Sequence, residues 1–403
     1  MSVLPEGFRS WSVGELSRRL REKEFSSHEL VRACAERVEA PGAAFTAISL
    51  RSDAISDAKL VDRELKAGRT RGALQGIPFG VSDLVSVANR PTAYGSKHFS
   101  TQVFAEDAAC VERLQRARAI ALAKLVTSEL GSAEPGVAEA IASGALPLAI
   151  GVDSAGALVA DCARRGVTVL APTIGLVSRA GVAAVTWTLD RVSIAARAAD
   201  DCGHALAAMA GDDGEDPLAL GKSFRYAPQF TRPLAELSLA VLDDTSGLDK
   251  LGVRTLGTGW TDLPCQEMAR VIGDAESASC WDDLAGTGHY ELLADRHLAA
   301  RLEAGASVRA VEYLRAMRIR RLVRDYFASL FVKADALCCR ADGARGTSTL
   351  AGAALAGLPV LALAGPGAAG ALLLVGKPLG ENTLLKLGSA YESQVRAGAP
   401  PRY

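Results

Sequence analysis

Cysteine and histidine are the side chains whose chemistry could support nucleophilic attack, redox exchange or metal binding in this chain. The eight cysteines stand at irregular spacings, with no C-x-x-C pair and no paired Cys/His cluster, so neither a zinc site nor a disulfide framework is signalled. The five histidines, His28, His98, His204, His289 and His297, fall in different predicted elements, and none lies beside a serine or cysteine in a recognisable nucleophile–base motif. Cys162 follows Asp161, whose negative charge raises a thiol pKa and makes the sulfur less reactive. Cys338 and Cys339 end an apolar run, DALCCR, where a strand would point one thiol to each face. Arg315, Arg318, Arg320, Arg321 and Arg324 crowd one segment, read as the solvated basic face of an amphipathic helix.

With 403 residues, 49% of them hydrophobic, the chain can bury a large core, and disorder is excluded as its main state. Lys and Arg number 45 against 46 Asp and Glu, for a net charge of −1. No basic block could neutralise a run of phosphates, so neither nucleic acid nor an anionic membrane surface is an expected partner. The opening MSVLPEGFRSWSVGEL has no apolar run behind a basic segment, and later apolar stretches are broken by Gly, Pro, Asp or Arg. No secretion signal, no membrane span and no cofactor are expected; the expected setting is cytoplasmic, with reduced thiols.

Residues 1–70 read as a helical segment. Ser26 and Glu29 form a capping box ahead of Leu30, Val31, Cys34 and Val38, and a second pattern opens at Ser52 and stops at Gly68. From about residue 76, short apolar runs bounded by Gly, Pro and Asp alternate with alanine-rich helical stretches, the pattern of an α/β core. Leu146–Val152, Val167–Leu170, Leu237–Leu242, Ala336–Cys339, Pro359–Ala364 and Ala371–Val375 are the predicted buried strands, several leading straight into turns. Residues 243–331 read as a polar and helical appendage that ends in VRAVEYLRAMRIRRLVRDYFASLF. With no repeat or low-complexity linker, residues 1–403 are expected to form one domain.

GIPFGVSDL at 76–84, PTAYGS at 91–96, GVDSAGALVADCARRGVTVLAPTIGLVSRAGV at 151–182, TWTLDRVSIAARAADD at 186–201 and the C-terminal GENTLLKLGSAYE together resemble the amidase signature family, in the family's order and across nearly the whole chain. The resemblance implies a large twisted mixed β-sheet core flanked by α-helices on both faces. It also implies amide hydrolysis or transfer by a lysine base, a relay serine and a nucleophilic serine, with backbone N–H groups of a Gly-rich turn holding the oxyanion. Against those motifs the lysine position is Ser82, the relay position Ala133 and the nucleophile position Ala157. The loop that in the family separates the SEF-like motif (Ser128-Glu129-Leu130) from the glycine run is missing. Asp153, Gly156, Pro172, Thr173, Gly175, Ser178, Arg179, Gly181, Leu189, Asp190 and Arg197 fit the family pattern as turn, strand-end and buried polar residues. Lys124 matches a family lysine outside the triad and reads as structural.

Loss of a serine nucleophile alone costs on the order of 10⁶ in turnover in another serine hydrolase. The expectation is therefore a non-catalytic amidase-like protein, a structural or regulatory partner of an active amidase. The expected partners are such an amidase, a small helical subunit or a second copy. One alternative is an amide hydrolase or acyl transferase whose nucleophile has moved to Ser154 or Cys162. Another is a binding protein for amides or carboxylates, in which the turn Ser154-Ala155-Gly156-Ala157 still presents its backbone N–H groups. His98 is the histidine expected nearest the cleft.

Overall fold

A computed structural model describes residues 4–243, 251–286, 289–365 and 370–396. Its strands are β1 Thr46–Ser49, β2 Pro78–Ser82, β3 Ile120–Leu125, β4 Leu148–Ser154, β5 Thr168–Ala171, β6 Asp190–Ala196, β7 Ser238–Val241, β8 Arg254–Gly257, β9 Ala336–Arg340, β10 Val360–Leu363 and β11 Leu372–Gly376. They form one sheet in the order β1-β3-β2-β4-β6-β5-β10-β11-β9-β7-β8. β2 runs parallel to both β3 and β4, while β4–β6, β6–β5 and β5–β10 are antiparallel, so the sheet is mixed. Every residue of β2, β3 and β6 is buried. A strand buried on successive residues has both faces covered, and helices flank this sheet as the motifs implied. No described helix is long and apolar enough to cross a membrane.

The N-terminal helices follow from their caps. Ser26 accepts the Glu29 N–H while the Glu29 carboxylate accepts the Ser26 N–H, and the helix Ser27–Val38 buries Leu30, Val31, Cys34 and Val38. The next helix, Arg51–Lys66, begins one residue before Ser52.

Six of the strands fall at or near the predicted runs, with one shift that matters. The run beginning at Leu146 enters the sheet only at Leu148, because the Leu146 N–H closes the preceding helix on the Ala140 carbonyl. Asp153 and Ser154 therefore belong to β4 itself. β1, β2, β3, β6 and β8 were not among the predicted runs. β6 opens with Asp190-Arg191, and both side chains are buried.

Residues 243–331 supply the edge strand β8, the helix Cys265–Cys280 and the long helix Ala310–Lys333. The basic face of the long helix departs from expectation at Arg320. That side chain turns inward, donating to the Leu355 carbonyl at 2.7 Å and to Thr188 Oγ1 at 2.6 Å.

The register of β4 on β6 sets Asp153 opposite Arg191 and Ser154 opposite Asp190. Arg191 Nε and Nη2 both lie 3.1 Å from Asp153 Oδ2, with the two side chains 3% and 0% exposed. Arg191 also donates to the Leu358 carbonyl ahead of β10, and Asp153 Oδ1 accepts the Val159 N–H of the following helix. Breaking such a pair leaves a buried charge uncompensated, which costs about 3–5 kcal/mol. Arg191→Met is expected to lower unfolding stability by that amount in urea titration, and adding Asp153→Leu to recover part of the loss.

Candidate active site

β2 and β4 are parallel neighbours, so their C-terminal ends, Ser82 and Ser154, open onto the same edge of the sheet. A crevice beyond the carboxyl ends of adjacent parallel strands is the ordinary place for a ligand in an α/β sheet. Ser82 is fully buried, whereas Ala133 and Ala157 are exposed.

Ser82 does not face solvent as a free hydroxyl. Its Oγ donates to Glu134 Oε1 at 2.8 Å, and the same oxygen accepts the Val152 N–H of β4 at 3.1 Å. Glu134 directly follows Ala133, so a serine–carboxyl contact joins the end of β2 to the segment around Ala133. Burial pushes the Glu134 carboxyl up to about 8, against the opposing hydrogen bonds from Ser82 and Val152. A carboxylic acid neutral at pH 7 needs no counter-charge.

The turn after β4 keeps a tight form. Ala155 stands at φ +53° and Gly156 at φ +91°, both in the left-handed region. An added Cβ at Gly156 would lie 2.9 Å from Leu350 Cβ. Alanine at 155 thus adopts the conformation that glycine would take more easily. The helix Ala157–Arg164 starts at once, and its first N–H groups have no intrahelical acceptor.

Ser154, three residues before Ala157, is half-buried and not isolated. Its Oγ lies 3.0 Å from Thr186 Oγ1, and Thr186 Oγ1 donates to Asp190 Oδ1 at 2.6 Å. Because the Thr186 proton is committed to Asp190, Ser154 is the donor to Thr186. Asp190 Oδ2 accepts the N–H groups of Val185 and Thr186 at 2.7 and 2.8 Å, which fixes the carboxylate. Burial pushes Asp190 up to about 6, opposed by the Thr186 and Ser154 hydroxyls and these N–H groups. Ser154, Thr186 and Asp190 form a continuous hydroxyl–hydroxyl–carboxylate chain.

Two cavities lie near these groups, and Asp190 is the member of the three that lines one of them, the smaller. A cavity of about 770 Å³ is lined by Tyr94, Ala183, Ala184, Trp187, Glu276, Cys280, Trp281 and Tyr313 among others, and one of about 160 Å³ by Arg179, Ala183, Ala184, Trp187, Asp190, Glu215 and Asp216 among others. Glu276 takes Thr188 Oγ1, Tyr313 Oη and the Thr188 N–H as donors. Its charge is spent inside the wall.

The remaining candidates lie elsewhere or are closed off. Cys162 is fully buried, and burial, then Asp161 and Asp153, raise its thiol well above the ordinary value; it cannot meet a substrate, which removes it as a relocated nucleophile. Lys124 is fully buried, with Nζ 3.0 Å from Asp83 Oδ1 and 2.6 Å from Thr92 Oγ1, so it ties β3 to the loop after β2 as a structural cation. His98 is exposed and sets its ring edge against Phe99. Cys338 and Cys339 are buried in β9. Among the described residues no cluster of three or more His, Cys, Asp or Glu could hold a metal.

The family model described as Amidase matches residues 29–135 and 131–251, more than half of the chain. The chain belongs to the amidase family. A glutamyl-tRNA(Gln) amidotransferase subunit of Pseudomonas aeruginosa is 29% identical over 393 residues, covering 81% of each chain. The corresponding subunit from Gloeothece citriformis is 28% identical over 331 residues, covering 75% of this chain and 67% of its own. The native peptide amidase of Stenotrophomonas maltophilia superposes with a TM-score of 0.83 at 25% identity, over 99% of this chain and 100% of that one. A chain of a vestigial protein complex, described as revealing the origins of an s-triazine catabolic enzyme, has a TM-score of 0.85 at 22% identity over 95% and 98%, a likeness of fold. These findings overturn the expectation of a non-catalytic partner of an active amidase: the family members that this chain resembles are themselves a peptide amidase and a component of an amidotransferase. That expectation read the three triad positions alone and gave Ser154 no base.

Glu134 carries a pH signature. A carboxyl at about 8 when folded and near 4.5 when unfolded holds its proton longer in the folded state. Its contribution is fully present below pH 4.5 and is lost as pH rises through about 8. The melting temperature is therefore expected to fall between about pH 5 and 9, and Glu134→Gln, which still accepts from Ser82, is expected to flatten that fall; an unchanged pH profile would count against a neutral Glu134.

Proposed function

We propose that the chain is an amide hydrolase or acyl transferase in which Ser154 is the nucleophile, Thr186 the proton relay and Asp190 the base. The observation that carries this reading is the continuous hydrogen-bonded chain from Ser154 Oγ through Thr186 Oγ1 to Asp190. The amidotransferase and peptide amidase relatives support the reaction class.

The steps follow from the proton positions. Ser154 Oγ attacks the amide carbonyl carbon while its proton passes to Thr186, whose own proton passes to Asp190. The N–H groups of the turn Ser154-Ala155-Gly156-Ala157 stabilise the oxyanion, for which backbone shape suffices and no side chain is needed. The C–N bond then breaks, the proton returns through Thr186 to the leaving nitrogen, and an acyl ester remains on Ser154. Water or a second amine takes the acyl group by the reverse path. In this reading the family positions Ser82, Ala133 and Ala157 carry no nucleophile or base, and the chemistry sits three residues upstream of Ala157. A carboxylate at about 6 is ionised at neutral pH and accepts the relayed proton at modest cost.

The amidotransferase relatives are each one component of a larger enzyme by name, which supports work beside another polypeptide, a small helical subunit or a second copy, in the cytoplasm, where the free cysteines stay reduced. Native-level affinity purification with mass spectrometry is expected to recover a stoichiometric second chain; a lone monomer would remove this part of the reading.

Ser154→Ala is expected to abolish amide turnover, by on the order of 10⁴ or more. Thr186→Val should cost about 10²–10⁴ and leave KM nearly unchanged. Because Asp190 must be ionised, the rate should rise as pH increases through about 6 and then level. Full activity in Ser154→Ala across an amide panel would sink the proposal.

A further inference from the structure

The two cavities, the smaller lined by Asp190 of the Ser154 chain, differ in size and charge, and Ala183, Ala184 and Trp187 line both. Trp187, 49% exposed, has the one large side chain of the three. It is held from both sides. Arg179 donates to the Trp187 carbonyl at 2.8 Å, and its guanidinium carbon lies 5.6 Å from the indole centroid, while Arg179 is itself fixed by Asp216 at 3.0 Å. On the other side, Thr188 gives its N–H and hydroxyl to Glu276 at 2.8 and 2.7 Å, and its carbonyl accepts from Arg320 Nη2 at 3.0 Å. These bonds fix the backbone that carries the indole, and the Arg179 guanidinium lies beside the ring itself.

The chemistry of the two sides sorts the ends of an amide. The smaller cavity, about 160 Å³, is lined by Asp190 and Glu215 and by the Arg179–Asp216 ion pair, which leaves two carboxylates without a cation in its wall. Cleavage of an amide releases an amine, which becomes a cation at neutral pH, and an acid, which becomes an anion. An acid-rich pocket welcomes the first and repels the second. The larger cavity, about 770 Å³, has Tyr94, Trp187, Trp281 and Tyr313 in its wall, and its one lining carboxylate among the described residues, Glu276, is tied to Thr188 and Tyr313 with Arg320 nearby. The Tyr94 and Trp281 rings meet edge to face at 5.6 Å.

We propose that Trp187 is the specificity-determining partition of the amide site, which directs an aromatic or bulky apolar acyl group into the larger cavity and a small amine into the acidic one. This proposal rests on the Ser154 reading, and its test separates the two. The probes are a matched pair with the same groups reversed: N-methyl-2-(1-naphthyl)acetamide, with a bulky acyl group and a small amine, and N-(1-naphthylmethyl)acetamide, with a small acyl group and a bulky amine.

The full-length protein is expected to favour the first amide by about tenfold or more in kcat/KM, the scale on which pocket fit discriminates. Trp187→Ala should bring the ratio near one, and Trp187→Phe, which keeps a ring in place, should retain most of it. Binding is read independently in Ser154→Ala by tryptophan fluorescence and by shielding of Cys280, which lines the larger cavity, from a maleimide. The first amide should bind more tightly and protect Cys280, and both preferences should fade in Ser154→Ala/Trp187→Ala. If neither amide is hydrolysed by the unmodified protein, the nucleophile reading fails for these substrates, and the binding arm still decides the partition. Equal handling of the two amides, or a preference that survives Trp187→Ala, overturns the proposal.

Discussion

The arrangement at the site depends on the buried pair between Asp153 and Arg191. β4 and β6 are antiparallel, and a slip of one residue would turn every side chain of one strand to the opposite face. Two facing buried charges forbid that slip, because each would lose its ionic partner inside the sheet. Once the pair is in register, the next rung sets Ser154 opposite Asp190. Arg191 reaches on to the Leu358 carbonyl and Asp153 to the Val159 N–H, so one interaction fixes the strand pair, the entry to β10 and the start of the helix after the turn. The catalytic proposal inherits its geometry from this contact rather than from the turn alone.

A second constraint is the buried contact between Ser82 and Glu134, with the carboxyl held neutral by burial. The Ser82 and Val152 donors both go to one oxygen of Glu134, which joins the end of β2 to β4. This contact is structural: Ser82 is fully buried, and its hydroxyl is committed. The cation nearby, Lys124, is also committed, to Asp83, Thr92 and Pro91. Neither group is free to act on a substrate.

The fold was largely legible because its motifs run in family order and its apolar runs are bounded by turn residues. The strands missed were those whose signal is polar. β6 begins with two charged residues, which interrupt the apolar run that marks a buried strand. β2 lies inside a motif whose glycine and proline suggest a loop. The site was legible in its losses and not in its replacements. Ala133 and Ala157 can be read directly as side chains without chemistry, whereas Asp190 looks like one more buried tie and Thr186 like an ordinary strand-end threonine. What joins them to Ser154 is a cross-strand pairing between distant stretches of chain, and periodicity within a segment carries no information about that. The one signal within reach was local: in TWTLD the threonine precedes the aspartate by four residues, a spacing that lets the carboxylate accept both the hydroxyl and the N–H of Thr186.

The helical segment that follows β8 does more than cover the edge of the sheet. Glu276 and Cys280 on the helix Cys265–Cys280, with Tyr313 on Ala310–Lys333, supply one side of the larger cavity, and the other side is the loop that carries Thr186 and Trp187. Glu276 binds that loop through Thr188, and Arg320 does so from the long helix. Packing of these helices and placement of the relay threonine are therefore coupled: a shift of the long helix would move Thr188, and with it the segment that presents Thr186 to Ser154. This explains why Arg320 departs from the basic face on which its neighbours lie. Burying a guanidinium is costly unless its donors are met, and here they are met by the Leu355 carbonyl and by the hydroxyl and carbonyl of Thr188, so the cost is offset where it holds the cleft wall to the chain of groups proposed to do the chemistry.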